Sequence, residues 1–140
     1  MTTTEMAQPT FLLVDDDDYS LDLAHFTLGR LGFTQVQTAR DGKEGLRAFD
    51  EMTQPPDCLI CDIFMPNGDG IEFMAELAKR GYRGGIVLVS SSDRKILSIA
   101  RQLAVANGLN VLGALTKPLQ HDEWQQVLFG RVWHPLATLS

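Results

Sequence analysis

Four consecutive aspartates, Asp15 to Asp18, follow directly on the apolar run Phe11-Leu12-Leu13-Val14. An apolar run of that length reads as a buried strand. Like charges crowded at its end cost energy unless a cation neutralises them. Hard divalent cations take oxygen ligands, and Mg²⁺ typically uses one or two carboxylates together with waters and phosphate oxygens. The run therefore points to a metal site at one edge of a sheet. It is equally compatible with a solvated turn and helix start, because Asp favours N-caps and first helical turns.

Three further strand ends carry groups that such a site would use. Asp62 follows the apolar stretch ending at Cys61, Ser90-Ser91-Ser92 follows Ile86-Val87-Leu88-Val89, and Thr116-Lys117-Pro118 closes the last apolar run. Each has an ordinary alternative: Asp69 can belong to a turn, Ser92 can cap a helix, and Lys117 can be a surface lysine. A carboxylate pair, a single carboxylate, a hydroxyl and an ammonium at four separate strand ends are nevertheless hard to attribute to chance.

The elements that must position these groups alternate along the chain. Strands are expected over 11–14, 34–38, 57–61, 86–90 and 111–115, with helices between and after them. Apolar residues recur at helical spacing as Leu21, Ala24, Leu28 and Leu31; as Gly45, Leu46, Phe49 and Met52; and as Ile71, Met74, Leu77 and Ala78. The fourth helix places Ile96, Ile99, Ala100, Leu103 and Ala106 on one face, and the fifth Trp124, Val127, Leu128 and Val132, interrupted by Gly130. Gly32, Gly81 and Gly108 stand where a left-handed C-cap is expected. Five strands alternating with five helices imply an α/β fold with a mostly parallel sheet covered on both faces. In open sheets of this kind ligands bind beyond the carboxyl ends of the strands, which is where the candidate groups lie.

The chain of 140 residues fits one compact domain, and its formal net charge of −6 argues against nucleic acid or an anionic membrane as the main partner. No apolar stretch is long enough to span a bilayer and no secretory signal is visible, so a cytoplasmic location is expected. Cys58 and Cys61 have C-x-x-C spacing. Residues three apart on a strand face opposite ways, so the two thiols are not expected to converge as a redox or zinc pair. His25, His121 and His134 form no constellation.

With LLVDDD at 12–17, CDIFMPNGDG at 61–70, VLVSS at 87–91 and TKPL at 116–119, the chain resembles the receiver domain of two-component response regulators over roughly residues 10–130. The resemblance implies a doubly wound, flavodoxin-like five-stranded parallel sheet of order 2-1-3-4-5. It implies a receiver domain over 10–133, with a flexible N-terminus at 1–9 and a tail or linker at 134–140. It makes Asp62 the phosphoacceptor and gives Mg²⁺ to Asp15, Asp16, Asp62 and the main-chain carbonyl of Phe64. Lys117 would pair with Asp62 and then with a phosphoryl oxygen, and the Ser90 hydroxyl would bind another. Ser91, Ala114 and Pro118 fall at switch and loop positions, with Pro118 following a cis peptide. Met65-Pro66 and Gly68 or Gly70 would shape the loop beneath the site. Asp17 and Asp18 are expected to serve the helix start.

The chain also departs from the pattern it resembles. Phe64 stands where polar side chains are common, and Ala114 where an aromatic ring often sits. The stretch from Ser90 to Lys117 is a few residues long for a generic receiver, and its text over 99–119 is similar to receivers that precede cyclic-di-GMP phosphodiesterase domains. The expected partners are a sensor histidine kinase or phosphotransfer protein, a fused or separate output domain and a second copy of the chain. Arg94, Gln102, Trp124 and Arg131 are candidates for the partner-facing surface. Two other functions compete: a degenerate receiver that binds without phosphorylation, and a phosphatase with an aspartyl nucleophile. The phosphatase typically needs a second acid two residues after the nucleophile, where this chain has Phe64.

Overall fold

The computed structural model describes residues 8–65, 69–91 and 94–129. Five strands alternate with five helices: β1 (Thr10–Val14), α1 (Asp18–Arg30), β2 (Gln35–Ala39), α2 (Gly42–Glu51), β3 (Cys58–Asp62), α3 (Asp69–Lys79), β4 (Gly85–Ser90), α4 (Arg94–Ala106), β5 (Asn110–Thr116) and α5 (His121–Leu128). All strand pairs are parallel and the order is 2-1-3-4-5, as expected. The expectations for 1–7, for Pro66 and Gly68, for Ser92, and for everything from Gly130 onward, Arg131 and Val132 included, lie outside the described residues. Among the described residues no helix is long and apolar enough to cross a membrane.

Strand alternation sorts the core into two layers. Leu12, Val14, Leu59, Cys61, Ile86 and Leu88 pack with Phe73, Met74 and Leu77 of α3 and with Leu97, Ala100 and Ala104 of α4. Phe11, Leu13, Cys58, Ile60, Val87 and Val89 pack with Leu21 and Leu28 of α1 and with Trp124, Val127 and Leu128 of α5. The two cysteines therefore fall in opposite layers, and burial, together with the charges of Asp62 and Asp15, pushes the Cys61 thiol far above its ordinary value. All strands but β2 read as continuous apolar runs. β2 is an edge strand, and of its residues only Ala39 is buried.

Two helical faces differ from expectation. On α4 the buried residues are Leu97, Ala100 and Ala104, while Ile96, Ile99 and Leu103 face solvent. On α3 Phe73 is buried and Ile71 exposed. Trp124 is also misassigned as partner-facing: it is 2 % exposed and belongs to the core under α5. Gly32, Gly81 and Gly108 all have positive φ, as left-handed C-caps require. The pairing of β4 with β5 passes from Ile86↔Val111 to Val87↔Gly113, which leaves Leu112 as an extra, bulged residue. That bulge absorbs one residue of the long stretch between Ser90 and Lys117.

Candidate functional site

The register of the central strands builds the site. β1 pairs with β3 up to Val14↔Cys61, so Asp15 and Asp62 emerge side by side. Main-chain bonds extend the ladder past the strands: Asp15 N–H donates to Ala39 (3.1 Å), Ile63 N–H to Val89 (2.8 Å) and Lys117 N–H to Ser90 (2.9 Å). The Lys117–Pro118 peptide is cis, as expected. The ends of all five strands take part in these bonds, and Asp15, Asp62 and Lys117 arise from three of them.

One carboxylate oxygen from each of Asp15, Asp16 and Asp62 can be chosen so that all three lie within 4.8 Å of one another. Asp15 and Asp62 are buried and Asp16 is exposed. Such an oxygen-only, partly solvated set fits the coordination habits of Mg²⁺. The Lys117 ammonium lies 2.6 Å from Asp15 Oδ2 and 3.5 Å from Asp62 Oδ2. Its short contact is therefore with Asp15, where the sequence reading pairs it with Asp62 first. Lys117 also donates to Ser20 Oγ (3.1 Å), and Ser20 Oγ in turn donates to Asp17 Oδ2 (2.8 Å). The Asp62 carboxylate accepts the Phe64 N–H at Oδ1 (3.1 Å) and faces Lys117 with Oδ2.

The electrostatics follow from this crowding. Burial pushes the Asp62 carboxyl up to about 6, the Asp15 charge adds to that rise, and Lys117 opposes it. Burial pulls Lys117 down, but its hydrogen bond to Asp15 and the charges of Asp62 and Asp15 leave it above its ordinary value. At neutral pH the site therefore holds a charged ammonium beside an ionised but poorly solvated carboxylate, an arrangement suited to nucleophilic attack on an electrophile held by a cation.

Asp17 and Asp18 stand apart from the metal cluster. Asp17 occupies the extended N-cap position of α1, and its hydrogen bond from Ser20 is the largest influence holding its carboxyl below the usual range. Asp18 pairs with Arg40 at 2.7 Å on the surface. Phe64 is 58 % exposed beside Asp62. Ser90 is fully buried at the end of β4, on the face of Ile86 and Leu88 by alternation, while Ser91 is exposed. Ala114 packs on the α4 side of the sheet, above a groove of about 310 Å³ that Arg94, Ser98, Arg101 and Thr116 also line. Ser20 is the member that sequence reading missed. Its signal is its place three residues after the N-cap, where a side chain turns back toward the cap.

Gly70 explains how the β3–α3 segment fits beneath the site. A Cβ there would run into the main chain of Ile63. Gly70→Ala is expected to lower stability by about 1–3 kcal/mol through overpacking. Urea unfolding measures this, and an unchanged midpoint would show that α3 shifts freely.

Comparison with known proteins matches this geometry. Residues 11–129 match the response regulator receiver domain family. The chain is 35 % identical over 101 residues to a probable chemotaxis protein CheY of Rhizobium etli, covering 70 % of this chain and 77 % of that one. It is 29 % identical over 119 residues to the probable C4-dicarboxylate response regulator DctR of Bacillus subtilis, covering 84 % of this chain but 49 % of the relative. The chain thus spans about half the length of DctR and 34 % of the B. subtilis regulator PhoP. Among solved structures, a response regulator from Colwellia psychrerythraea superposes with a TM-score of 0.71 at 30 % identity, over 83 % of this chain and 90 % of that one. Vibrio cholerae CheY4 superposes with a TM-score of 0.70 at 27 % identity, over 87 % and 97 %. With a parallel sheet that gathers three aspartates and a lysine at its carboxyl edge, and a family match running through nearly every described element, the chain belongs to the response regulator receiver domains.

Proposed function

We propose that this chain is a phosphorylatable receiver in which Asp62 takes a phosphoryl group from a sensor histidine kinase or phosphotransfer protein in a Mg²⁺-dependent reaction. The observation that carries this reading is that the buried Asp62 carboxylate shares Lys117 with Asp15 and lies in one cluster with the Asp15–Asp16 pair. In the proposed step an Asp62 oxygen attacks phosphorus in line, the bond from phosphorus to the donor nitrogen breaks, and an acyl phosphate forms on Asp62. Asp15, Asp16, Asp62 and the Phe64 carbonyl would hold Mg²⁺, which would supply charge neutralisation as the two anions approach. Lys117 moves its attraction from carboxylate to phosphoryl oxygen, and Ser90 supplies a hydroxyl to another oxygen.

Exposed surfaces support the partner assignment. Tyr19, Leu23 and Phe26 form an apolar stripe on α1 next to the site, suited to a donor helix. Ile96, Ile99 and Leu103 form another on α4, available to an output domain or a second copy. Arg94 and Gln102 are exposed on the same helix. A cyclic-di-GMP phosphodiesterase is the output that residues 99–119 suggest. The proposed receiver unit is 10–133, acting in the cytoplasm without nucleic acid or membrane.

Incubation with a small acyl phosphate and Mg²⁺, followed by intact mass, tests the proposal. A single stable adduct supports it, release of phosphate from many substrates indicates a phosphatase, and no adduct indicates a phosphorylation-independent module.

Two further outcomes are expected. Mg²⁺ binds only the folded carboxylate cluster, so at a hundredfold excess over Kd it stabilises by about 2.7 kcal/mol. Asp16→Asn should abolish this thermal shift, whereas Asp18→Asn, which breaks only the surface pair with Arg40, should leave it intact. Loss of the shift in both would place the metal elsewhere. Phe64 shields the Asp62 acyl phosphate from water, so Phe64→Asn should speed dephosphorylation roughly tenfold, a barrier change of about 1.4 kcal/mol. Equal rates would assign Phe64 no such role.

A further inference from the structure

Beneath the acidic residues, α1, α5 and the sheet surround a cavity of about 290 Å³, walled by Leu13, Leu21, Ala24, Val89, Leu119 and Trp124. It opens to solvent on the side of Tyr19 and Leu23, both exposed. Here α1 buries Leu21 and Leu28 and packs the small Ala24 against the same cluster, while Leu23 remains exposed at the rim. The space is near the lower bound of small-molecule sites, roughly 300 Å³.

Trp124 adds a second, independent observation. Its side chain lies within a residue that is 2 % exposed, and its indole N–H has no hydrogen-bond partner among the described residues. Buried indole N–H groups usually find an acceptor. Water at the polar end has Asp15, Ser20, Asp62 and Lys117 for partners, so it is the apolar walls around Trp124 that a ligand body would cover.

We propose that this cavity binds a small uncharged molecule with an aromatic or branched apolar body and one acceptor oxygen for the Trp124 indole. Charge excludes the alternatives. At the polar end Asp15 and Asp62 already share the Lys117 ammonium, so an organic anion with no metal to bridge it meets two carboxylates and no free cation. An organic cation would be held by those carboxylates and not by the apolar walls. Asp62 and Lys117 also line the cavity, so an occupant sits against the two side chains proposed to carry the phosphoryl chemistry. The site thereby adds a small-molecule input to the receiver, whatever kinase feeds it.

Acetophenone is the probe, titrated into the full chain with Mg²⁺ present. Proton–nitrogen NMR reads the Trp124 indole signal, assigned with Trp133→Phe. A saturable shift with a Kd on the order of 1 mM is expected for a ligand of this size. Ala24→Phe, which fills the cavity from α1, should abolish it while keeping the Mg²⁺-dependent thermal shift; Ala24→Met serves if the larger ring prevents folding. The proposal is overturned if the shift does not saturate or persists unchanged in the filled variant. It is also overturned if the shift appears only after removal of residues 130–140, which would assign the cavity to the chain's own tail.

Discussion

Asp62→Asn is expected to eliminate the phosphoryl adduct while leaving the fold intact. The amide has no anionic oxygen to attack phosphorus, and Asp62 is the most deeply buried aspartate of the cluster that Lys117 faces. Asp15 is a poor substitute. Lys117 holds one of its oxygens at 2.6 Å and the Asp17 N–H the other at 2.9 Å, both tighter than the 3.5 Å and 3.1 Å contacts that Asp62 makes with Lys117 and the Phe64 N–H. Asp16 is exposed, outside the buried position the donor must reach. Intact mass after incubation with an acyl phosphate should therefore show no adduct in Asp62→Asn, and peptide mapping of the unaltered protein should place the phosphoryl group on Asp62. An adduct that survives the substitution and maps to Asp15 or Asp16 would reassign the phosphoacceptor.

Much of this site was legible because strand chemistry is local. The apolar runs before Asp15, Asp62, Ser90 and Lys117 mark strand ends, and a parallel sheet gathers such ends at one edge. The opposite facing of Cys58 and Cys61 follows from the two-residue period alone. Helix phase was harder. α4 carries apolar residues around most of its circumference, so periodicity admits more than one face, and the larger Ile96, Ile99 and Leu103 invited the wrong choice. The structure buries the expected Ala100 but flanks it with Leu97 and Ala104, because small residues let α4 approach the sheet closely. Ser20 and the Lys117–Asp15 contact were missed for another reason. Both depend on how α1 starts relative to β5, a spacing of 97 to 102 residues that no local pattern encodes. The cavity beneath α1 was likewise invisible, since it reflects which side chains fail to fill a space and not which are present.

The same Asp62→Asn variant should be more stable than the unaltered protein in a chelator at neutral pH. The carboxyl stands at about 6 in the folded protein against an ordinary 3.8, with burial the main cause. The folded state therefore holds this proton more tightly than the unfolded state does. Stability from this group is greatest below 3.8, falls as pH rises toward 6, and is level above it. At about 1.4 kcal/mol per pH unit the ionised carboxylate costs the fold at most about 3 kcal/mol. Lys117 keeps its closer partner, Asp15, in the variant, so removing Asp62 leaves no buried charge unpaired. Denaturation at pH 7.5 should then favour Asp62→Asn by about 1–3 kcal/mol, and the advantage should vanish near pH 4. Adding Mg²⁺ should narrow the gap from the other side, because the ion stabilises the intact cluster more than the amide variant. Equal stabilities in chelator at pH 7.5 would mean that Lys117 fully compensates the buried carboxylate. The site would then be a satisfied ion pair, without the excess negative charge that makes it a place for a divalent cation and a phosphoryl group.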